Sequence, residues 1–341
     1  MIHGYVEISQ ESLPLAEAEA VSVAETLGGG RGNVPSLGER LVPVELPGLP
    51  SWNRCAGRLA LARRCLLPLA PPRDAREAAR AEGARGGSAA FRRIGRPSGG
   101  GVDRGVLDCG RAFKSAGGTI DLEGPSRRFW LAKDPEGFDH LLEEVGAVDR
   151  TSIALRRMPL LPFRRPVSLP PKLARAAVNL ARVREGDRVL DPFLGTGALL
   201  AEAGLLGGRL YGIDRDAAMV RGALQNLGHL GVGAEELLVG DARGVEFSTP
   251  SEAFSAIVTD PPYGRASSTG GTPNAELVAE VVALWRDRLG PDGRLVVIVP
   301  EGTSSLEFLG APRFRVPVRV HGSLTREFRS YERSGVRENP R

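Results

Sequence analysis

Four short apolar segments in the second half of the chain each end at an aspartate. The segments are RVLD, RLYGID, ELLVGD and FSAIVTD, and their acids are Asp191, Asp214, Asp241 and Asp260. Runs of Val, Ile and Leu bounded by Gly or Pro predict buried strands, and the helical patterns between them predict a parallel sheet. The carboxyl ends of such strands meet at one edge of the sheet, where ligands bind. Each acid alone could cap a helix, but four in succession favour a polar site at that edge.

The turn after the fourth strand indicates a chemistry. Asp260 is followed by Pro261, Pro262 and Tyr263, and the two prolines end the strand and stiffen the turn. The Asp260 carboxylate and the Pro261 carbonyl are two acceptors for a planar amine, and the Tyr263 ring can lie against the heterocycle that carries it. This arrangement directs an amino-nitrogen lone pair at an electrophile. Alone, DPPYG is equally well explained as a proline-rich turn in which Tyr263 packs, so its upstream context favours the catalytic interpretation.

That context begins with a glycine-rich turn, DPFLGTG, between the first strand and a helix. Gly195 and Gly197 allow a ligand to approach the backbone. A dinucleotide-binding GxGxxG motif would need glycine at position 200, where the chain has Leu200, and the turn opens with an acid, Asp191. The pattern is instead typical of a pocket for S-adenosylmethionine.

The strand-end acids have separate predicted contacts with this cofactor. Asp191 meets the ammonium group directly or through water, Asp214 accepts from both ribose hydroxyls, and Asp241 accepts from the adenine amino group. The candidate cofactor-binding residues are Asp191, Phe193, Gly195, Thr196, Gly197, Asp214, Asp241 and Asp260. The candidate catalytic residues are Asp260, Pro261, Pro262 and Tyr263. In-line attack of the amine nitrogen on the methyl group of the cofactor requires no metal.

Composition is that of an ordinary globular protein, with 42% hydrophobic and 25% charged residues. No stretch approaches the roughly 20 apolar residues of a membrane-spanning helix, and the N-terminus lacks a basic signal region. A cytoplasmic location without a membrane partner is therefore expected. The three cysteines lack CxxC spacing and the four histidines are scattered, which supports neither a disulfide framework nor a zinc site.

Basic residues are concentrated ahead of the four strands. Residues 54–133 hold 17 basic and 7 acidic side chains, whereas residues 171–341 hold 21 of each. This distribution predicts a polyanion-binding module joined to a separate active site. The alternative is an arginine-rich surface that is simply solvated.

The first 150 residues predict two small α+β modules, residues 1–70 and 71–150. A linker at 151–170 and the catalytic domain at 171–341 follow. In the first module we expect strands at 2–9 and 40–46 and helices at 13–27 and 51–69. In the second we expect a strand at 88–94 between helices at 74–82 and 103–115, and a hairpin formed by the runs TIDL and RFWL.

Residues 71–133 resemble a THUMP domain, an RNA-binding module of tRNA-modifying enzymes. The segments AFRRIG, GGTIDLEGPS and RRFWLA carry this resemblance through their order. It implies that Arg92, Arg93, Arg127 and Arg128 lie near RNA phosphates, although each is about as well explained as part of a solvated face.

With DPFLGTG, YGID, VGDA and DPPYG in this order behind such a module, the chain resembles the archaeal THUMP-containing tRNA guanosine-N2 methyltransferases. The segments RRPVSLPPKLARAAVNL and VHGSLTREF match the same pattern. The resemblance implies an α/β class I Rossmann-like methyltransferase domain with a seven-stranded sheet, preceded by ferredoxin-like and THUMP domains. It also implies transfer of one or two methyl groups from S-adenosylmethionine to N2 of a guanosine, at about position 10 of tRNA, with no obligatory protein partner.

Two other functions remain compatible with the motifs. The same amine-binding cage, which consists of the Asp260 carboxylate, the Pro261 carbonyl and the Tyr263 ring, serves adenine N6, cytosine N4 and glutamine amides. A DNA or RNA adenine-N6 methyltransferase is therefore the enzymatic alternative. A non-catalytic RNA-binding protein with a decayed methyltransferase fold is the alternative from another class. The intact DPPY motif and the intact series of acids argue against such decay.

Overall fold

The computed structural model describes residues 1–95, 102–165, 168–248, 253–262, 274–321 and 324–333. The chain forms two compact units. The first comprises Met1–Leu13, Leu27–Gly57 and Ala62–Val148; the second comprises Pro14–Thr26, Arg58–Leu61 and the described residues from Asp149 onward. Across these described ranges, no helix combines the length and the apolar character that a membrane crossing requires.

The first unit is built on one sheet of eight strands within the described ranges. The strands are β1 (Ile2–Ile8), β2 (Gly30–Arg31), β3 (Leu41–Leu46), β4 (Ala62–Pro68), β5 (Ser88–Arg93), β6 (Thr119–Ile120), β7 (Arg127–Lys133) and β8 (Asp139–Ala147). The helices that fall between them in the chain are α1 (Leu13–Thr26), α2 (Leu49–Arg58), α3 (Ala75–Gly83) and α4 (Arg104–Ser115). The strand order is β2-β3-β1-β4-β8-β7-β5-β6, so strands from both sides of residue 70 share one sheet.

Local sequence explains the two helices that pack on the second half of this sheet. Asp74 and Asp103 are N-caps whose carboxylates accept from Glu77 N at 2.9 Å and from Val106 N at 3.0 Å. Alanines on α3 and Phe113 on α4 pack against the buried face of β5, β7 and β8. The predicted helices and the strand between them are thus observed within one or two residues.

Two predictions for this unit were wrong. Residues 62–68 form strand β4 rather than a continuation of α2, because β4 lies between β1 and β8 and pairs with both. The runs TIDL and RFWL do not form a hairpin: the short strand β6 and β7 lie on opposite sides of β5, and both run parallel to it. Helix α4 carries the chain back to the starting end of β5, which makes parallel pairing the available geometry. Strand β8 was not anticipated.

The second unit contains the predicted alternation of strands and helices. Its helices are α5 (Arg150–Leu155), α6 (Pro171–Leu180), α7 (Ala198–Gly204), α8 (Ala217–His229) and α9 (Asn274–Arg286), with 3₁₀ turns at Met158–Leu160 and Glu307–Leu309. Its strands are β9 (Arg188–Asp191), β10 (Arg209–Asp214), β11 (Glu236–Val239), β12 (Phe254–Thr259), β13 (Leu289–Pro300), β14 (Phe314–His321) and β15 (Leu324–Glu332).

Among the described residues these seven strands form one sheet in the order β11-β10-β9-β12-β13-β15-β14. The pairings from β11 to β13 are parallel, and β15 is antiparallel to both β13 and β14. The direction in which successive strands are added reverses between β9 and β12. From β9 the chain continues to β10 and β11 on one side, and β12 begins the other side of the sheet. Such a switch point is where open α/β sheets bind ligands.

Residues 14–26 belong to the second unit because of a buried carboxylate. Glu19 is fully buried and accepts from Ala60 N at 3.0 Å, Leu61 N at 2.8 Å and Asn179 Nδ2 at 2.8 Å. Burial raises the pKa of Glu19, and these hydrogen bonds oppose that shift. The amide of Asn179, on α6, also donates to the Arg58 carbonyl at 3.0 Å. This network holds α1 and residues 58–61 on α6.

A second buried carboxylate anchors the segment that precedes the sheet. Glu202, on α7, accepts from Arg156 Nε at 2.7 Å and Nη2 at 3.0 Å, and from Arg175 Nε at 2.7 Å. Both Glu202 and Arg175 are buried. Arg156 directly follows α5, and so the ion pairs fix the end of α5 against α6 and α7.

We expect Glu202→Gln to lower the free energy of unfolding by about 3–5 kcal/mol, because it leaves buried guanidinium charge without its carboxylate. Urea unfolding of the full chain measures this change. The matched control is Glu235→Gln, since Glu235 pairs with Arg209 at 3.2 Å on the exposed surface. That control should change stability by less than about 1 kcal/mol, and equal effects of the two substitutions would contradict the assignment.

Candidate active site

The structure brings the predicted strand-end acids to one edge of the second unit's sheet. Asp191 and Asp214 are the last residues of β9 and β10, and Asp260 directly follows β12. Strands β9 and β12 pair in parallel, and Thr259 Oγ1 at the end of β12 donates to Asp191 Oδ1 at 2.7 Å. Asp241 lies two residues beyond the end of β11. The sequence pattern therefore located a real cluster of carboxyl groups.

Asp191 is the deepest of these acids, with 2% of its surface exposed. Besides the Thr259 hydroxyl, its Oδ1 accepts from Phe193 N at 3.0 Å. Burial raises the pKa of Asp191 to about 7, the two hydrogen bonds lower it, and the charges of Asp260 and Asp214 raise it further. Asp191 is thus a carboxyl group that gains or loses its proton near neutral pH.

Asp214 shapes the glycine-rich loop from the neighbouring strand. Its Oδ2 accepts from Gly195 N at 2.8 Å and its Oδ1 from Asp216 N at 2.9 Å. Burial is the main cause of the raised pKa of Asp214, and these N–H groups oppose the shift. Gly195 has φ of +51° and Gly197 of +80°, which other residues rarely adopt. Phe193 packs against the core of the sheet.

Thr196 is held by two residues that the sequence analysis did not single out. Its hydroxyl is hydrogen-bonded to Ser168, and its carbonyl accepts from Asn226 Nδ2 at 3.1 Å. Asn226, on α8, is buried and also exchanges hydrogen bonds with both backbone groups of Phe163, at 2.9 and 3.1 Å. The segment before α6 and the glycine-rich loop are therefore tied through one amide. No local pattern identifies Asn226, because its partners are distant in the chain.

Asp241 differs from the other acids in being paired with a cation. Arg243 donates to it through Nε at 3.0 Å, through Nη2 at 2.8 Å and through the backbone N–H at 3.0 Å. These hydrogen bonds lower the pKa of Asp241 to about 2. Arg243 also reaches Glu280 on α9 at 3.0 Å. The carboxylate predicted to meet adenine is thus charged and oriented by Arg243.

Asp260 lies beside an arginine from the antiparallel end of the sheet. Arg326 Nη1, on β15, donates to Asp260 Oδ2 at 3.0 Å. Pro261 is buried and Pro262 half-buried, while Tyr263 lies outside the described residues. Sequence analysis used the LTREF segment only for its resemblance and missed Arg326. Thr259, which orients Asp191, was also missed, although a polar residue ending an apolar strand is a usable signal.

The predicted RNA-binding arginines of the first unit fall into two classes. Arg93 pairs with Asp103 and with Asp139, and the hydrogen bond that Arg93 donates to Asp139 is the main cause of its raised pKa. Arg127 pairs with Glu143 at 2.7 Å and with Glu82 at 2.8 Å. Arg92 and Arg128, by contrast, are exposed. The guanidinium groups of Arg93 and Arg127 are engaged within the fold.

Comparison with known proteins identifies the domain that carries this cluster. Residues 160–327 match the RMKL-like methyltransferase domain. A tRNA (guanine(10)-N2)-dimethyltransferase of Methanothermobacter thermautotrophicus is 38% identical over 64% of this chain and 65% of its own length. The enzyme of the same name from Pyrococcus abyssi is 42% identical over 49% of this chain and 50% of its own length. The chain thus spans between half and two thirds of these relatives.

Among solved structures, TrmN from Thermus thermophilus superposes with a TM-score of 0.48 at 22% identity, over 97% of this chain and 99% of that one. A relative from Methanothermococcus thermolithotrophicus, named "Probable tRNA (guanine(10)-N2)-dimethyltransferase", is 34% identical over 48% of this chain and 99% of its own length. Because almost the whole of that relative is matched, the chain belongs to the tRNA (guanine(10)-N2)-dimethyltransferase family, which confirms the methyltransferase part of the predicted resemblance.

Proposed function

We propose that this protein transfers methyl groups from S-adenosylmethionine to the exocyclic N2 of a guanosine in tRNA, at about position 10. The observation that carries the proposal is the joint position of Asp191, Asp214 and Asp260 at the switch point of the sheet. Family membership supplies the substrate. The domains assigned to residues 1–70 and 71–150, ferredoxin-like and THUMP, remain part of the proposal and supply the tRNA-binding surface.

The residues at this edge fit the proposed cofactor chemically. An ammonium group, two ribose hydroxyls and an adenine amine all need acceptors, and the cluster offers Asp191, Asp214 and Asp241 in that spatial order along the sheet. Among the described residues other than its chain neighbours, an added Cβ at Gly195 would come within 4 Å of the Phe193 carbonyl alone, at 3.9 Å, so the described part of the loop leaves room beside it. S-adenosylmethionine would supply an electrophilic methyl group on a sulfonium. Thr196 and Gly197 would complete the loop around it.

The chain's own residues are proposed to position the reacting groups and to stabilise the charge that develops during methyl transfer. An exocyclic guanine amine is a weak nucleophile, since its lone pair is delocalised into the ring. When its N–H groups donate hydrogen bonds to the Asp260 carboxylate and the Pro261 carbonyl, the lone pair becomes localised on nitrogen. The same two oxygens offset the positive charge that develops there during methyl transfer. The same carboxylate is placed to accept the proton that the methylated nitrogen must lose. Holding nitrogen and methyl at attack distance supplies much of the remaining acceleration.

The guanine must leave its stack to reach Asp260, at a cost of a few kcal/mol. Tyr263 is proposed to offset part of that cost by stacking on the extruded base. Exposed Arg92 and Arg128 are proposed to contact tRNA phosphates. Because Arg93 and Arg127 are engaged in ion pairs, their contribution is to set the shape of that surface.

Nucleoside mass spectrometry tests the proposed function. An unmodified tRNA transcript incubated with the purified protein and S-adenosylmethionine should gain N2-methylguanosine or N2,N2-dimethylguanosine. Methylated adenine or cytosine would show that the amine-binding cage is right and the base assignment wrong. Binding of tRNA without any methylation would instead favour a non-catalytic RNA-binding protein.

Substitution of the proposed catalytic acid gives a second test. We expect Asp260→Ala to lower kcat by at least about 100-fold, the loss typical of a positioned charge-stabilising group. The Kd for S-adenosylmethionine should change by less than about threefold, because the proposed contacts of Asp260 are mainly with the base. Single-turnover methylation and calorimetry separate the two quantities. Asp292→Ala, at an exposed acid, is the control, and near-normal turnover of Asp260→Ala would eliminate the mechanism.

The raised pKa of Asp191 predicts how cofactor binding depends on pH. Below pH 7 the free protein holds a proton on Asp191, so an ammonium group can bind only as that proton leaves. The Kd for S-adenosylmethionine should rise about tenfold for each pH unit below 7 and level off above it. Asp191→Asn should weaken binding above pH 7 and flatten the profile. Calorimetry across this range measures both, and a flat wild-type profile would exclude ionised Asp191 from the ammonium contact.

A further inference from the structure

We propose that Arg326 is a positioning residue for the methyl-transfer reaction, which fixes the Asp260 carboxylate in the orientation and charge state that amine binding requires. This inference rests on the proposed function of Asp260. It assigns a role to a residue from β15, the strand that lies two positions from β12 in the sheet.

The topology explains how Arg326 reaches the site. In the sheet, β13 separates β12 from β15, and Arg326 is in register with Pro300, the last residue of β13. Its side chain therefore passes over the end of β13 to the turn that follows β12. There Nη1 donates to Asp260 Oδ2 at 3.0 Å. The contact joins the antiparallel end of the sheet to the switch point.

The surroundings make this ion pair more than a surface contact. The Arg326 and Asp260 side chains are only 11% and 16% exposed, so both charges are largely removed from water. Desolvation of two charges commonly cancels the attraction between them, and a buried pair is therefore weak evidence of a stabilising role. We therefore assign the ion pair to holding Asp260 in its orientation and in its charged form, rather than to stabilising the fold.

The neighbouring acids define what Arg326 offsets. Asp260 and Asp191 interact strongly enough for the charge of Asp260 to raise the pKa of Asp191, and Asp214 adds to this effect. Repulsion among these carboxylates favours protonation of one of them or rotation away from the cluster. A protonated Asp260 would be a weaker acceptor for an amine N–H and could not take up a proton, and a rotated Asp260 would not face the amine. The guanidinium at Oδ2 opposes both changes.

Other charged groups on the same hairpin provide a matched control. Arg315, on β14, pairs with Glu327 on β15 at 3.0 Å, while Arg329 also contacts Glu327. Arg315→Gln therefore removes an arginine–carboxylate pair from the same two strands while Glu327 retains a cation. Its effect reports the general consequence of losing such a pair from this hairpin.

The kinetic test compares Arg326→Gln with Arg326→Lys and Arg315→Gln in tRNA methylation. Arg326→Gln should lower kcat by about 10- to 100-fold, because small misplacement of a catalytic group has effects of this size. The KM for tRNA and the Kd for S-adenosylmethionine should stay within about threefold of wild type. Lysine should restore part of kcat, since it keeps the charge but lacks the planar fork. Arg315→Gln should leave kcat unchanged.

A double variant distinguishes positioning from an independent contribution. If Arg326 acts through Asp260, the combination Asp260→Asn with Arg326→Gln should be no slower than Asp260→Asn alone. Multiplied losses in the double variant would overturn the inference. A kcat of Arg326→Gln equal to that of wild type would overturn it as well.

Carbon-13 NMR titration of the Asp260 carboxyl group tests the same inference without catalysis. Its midpoint should move to higher pH in Arg326→Gln, because the guanidinium favours the charged carboxylate, and should be unchanged in Arg315→Gln. An unchanged midpoint in Arg326→Gln would reject the inference even if kcat fell. If the midpoint moves but wild-type protein methylates no tRNA, the pairing role is supported and the proposed function is the part that fails.

Discussion

Mutual repulsion among the carboxyl groups at the switch point is the constraint on which the rest of the site depends. Asp191, Asp214 and Asp260 end three strands that the sheet brings side by side, so the fold itself forces the acids together. Hydrogen-bond donors around the acids offset this repulsion. The Thr259 hydroxyl and the Phe193 N–H donate to Asp191, and the Gly195 N–H donates to Asp214. The glycine-rich loop follows a path that these acids fix, because two of its N–H groups are their hydrogen-bond donors.

The cluster also separates its acids by depth. Burial raises the pKa of Asp191 to about 7 and raises that of Asp214, whereas Arg243 lowers the pKa of Asp241 to about 2. A cation gains most from the deepest acid once that acid is ionised, because the low dielectric strengthens the contact. Neutral hydroxyls and amines need only an acceptor and suit the outer acids. One edge can therefore orient a ligand that is cationic at one end and neutral at the other.

Sequence alone predicts the second unit well because its central strands β9, β10 and β12 are largely buried on both faces and read as short apolar runs between helices. The same reasoning places Asp191, Asp214 and Asp260 at one edge of the sheet. It failed for β4 and for the predicted hairpin, since pairing with distant strands decides both. Arg326 and Asn226 were missed for a related reason. Their partners are separated from them by long stretches of chain, and only the folded sheet brings them together.

Charge counted along the chain overstates the basic surface of the first unit. Residues 54–150 hold 18 basic and 13 acidic side chains, and several arginines of this block pair with acids of β8: Arg64 with Glu144, Arg93 with Asp139 and Arg127 with Glu143. The exposed Arg92 and Arg128 are different. On β5 and β7 they alternate with Phe91 and Phe129, whose rings pack in the core 5.1 Å apart. Strand alternation therefore places both arginines on the opposite face of the sheet, which is where phosphate contacts in this unit are expected.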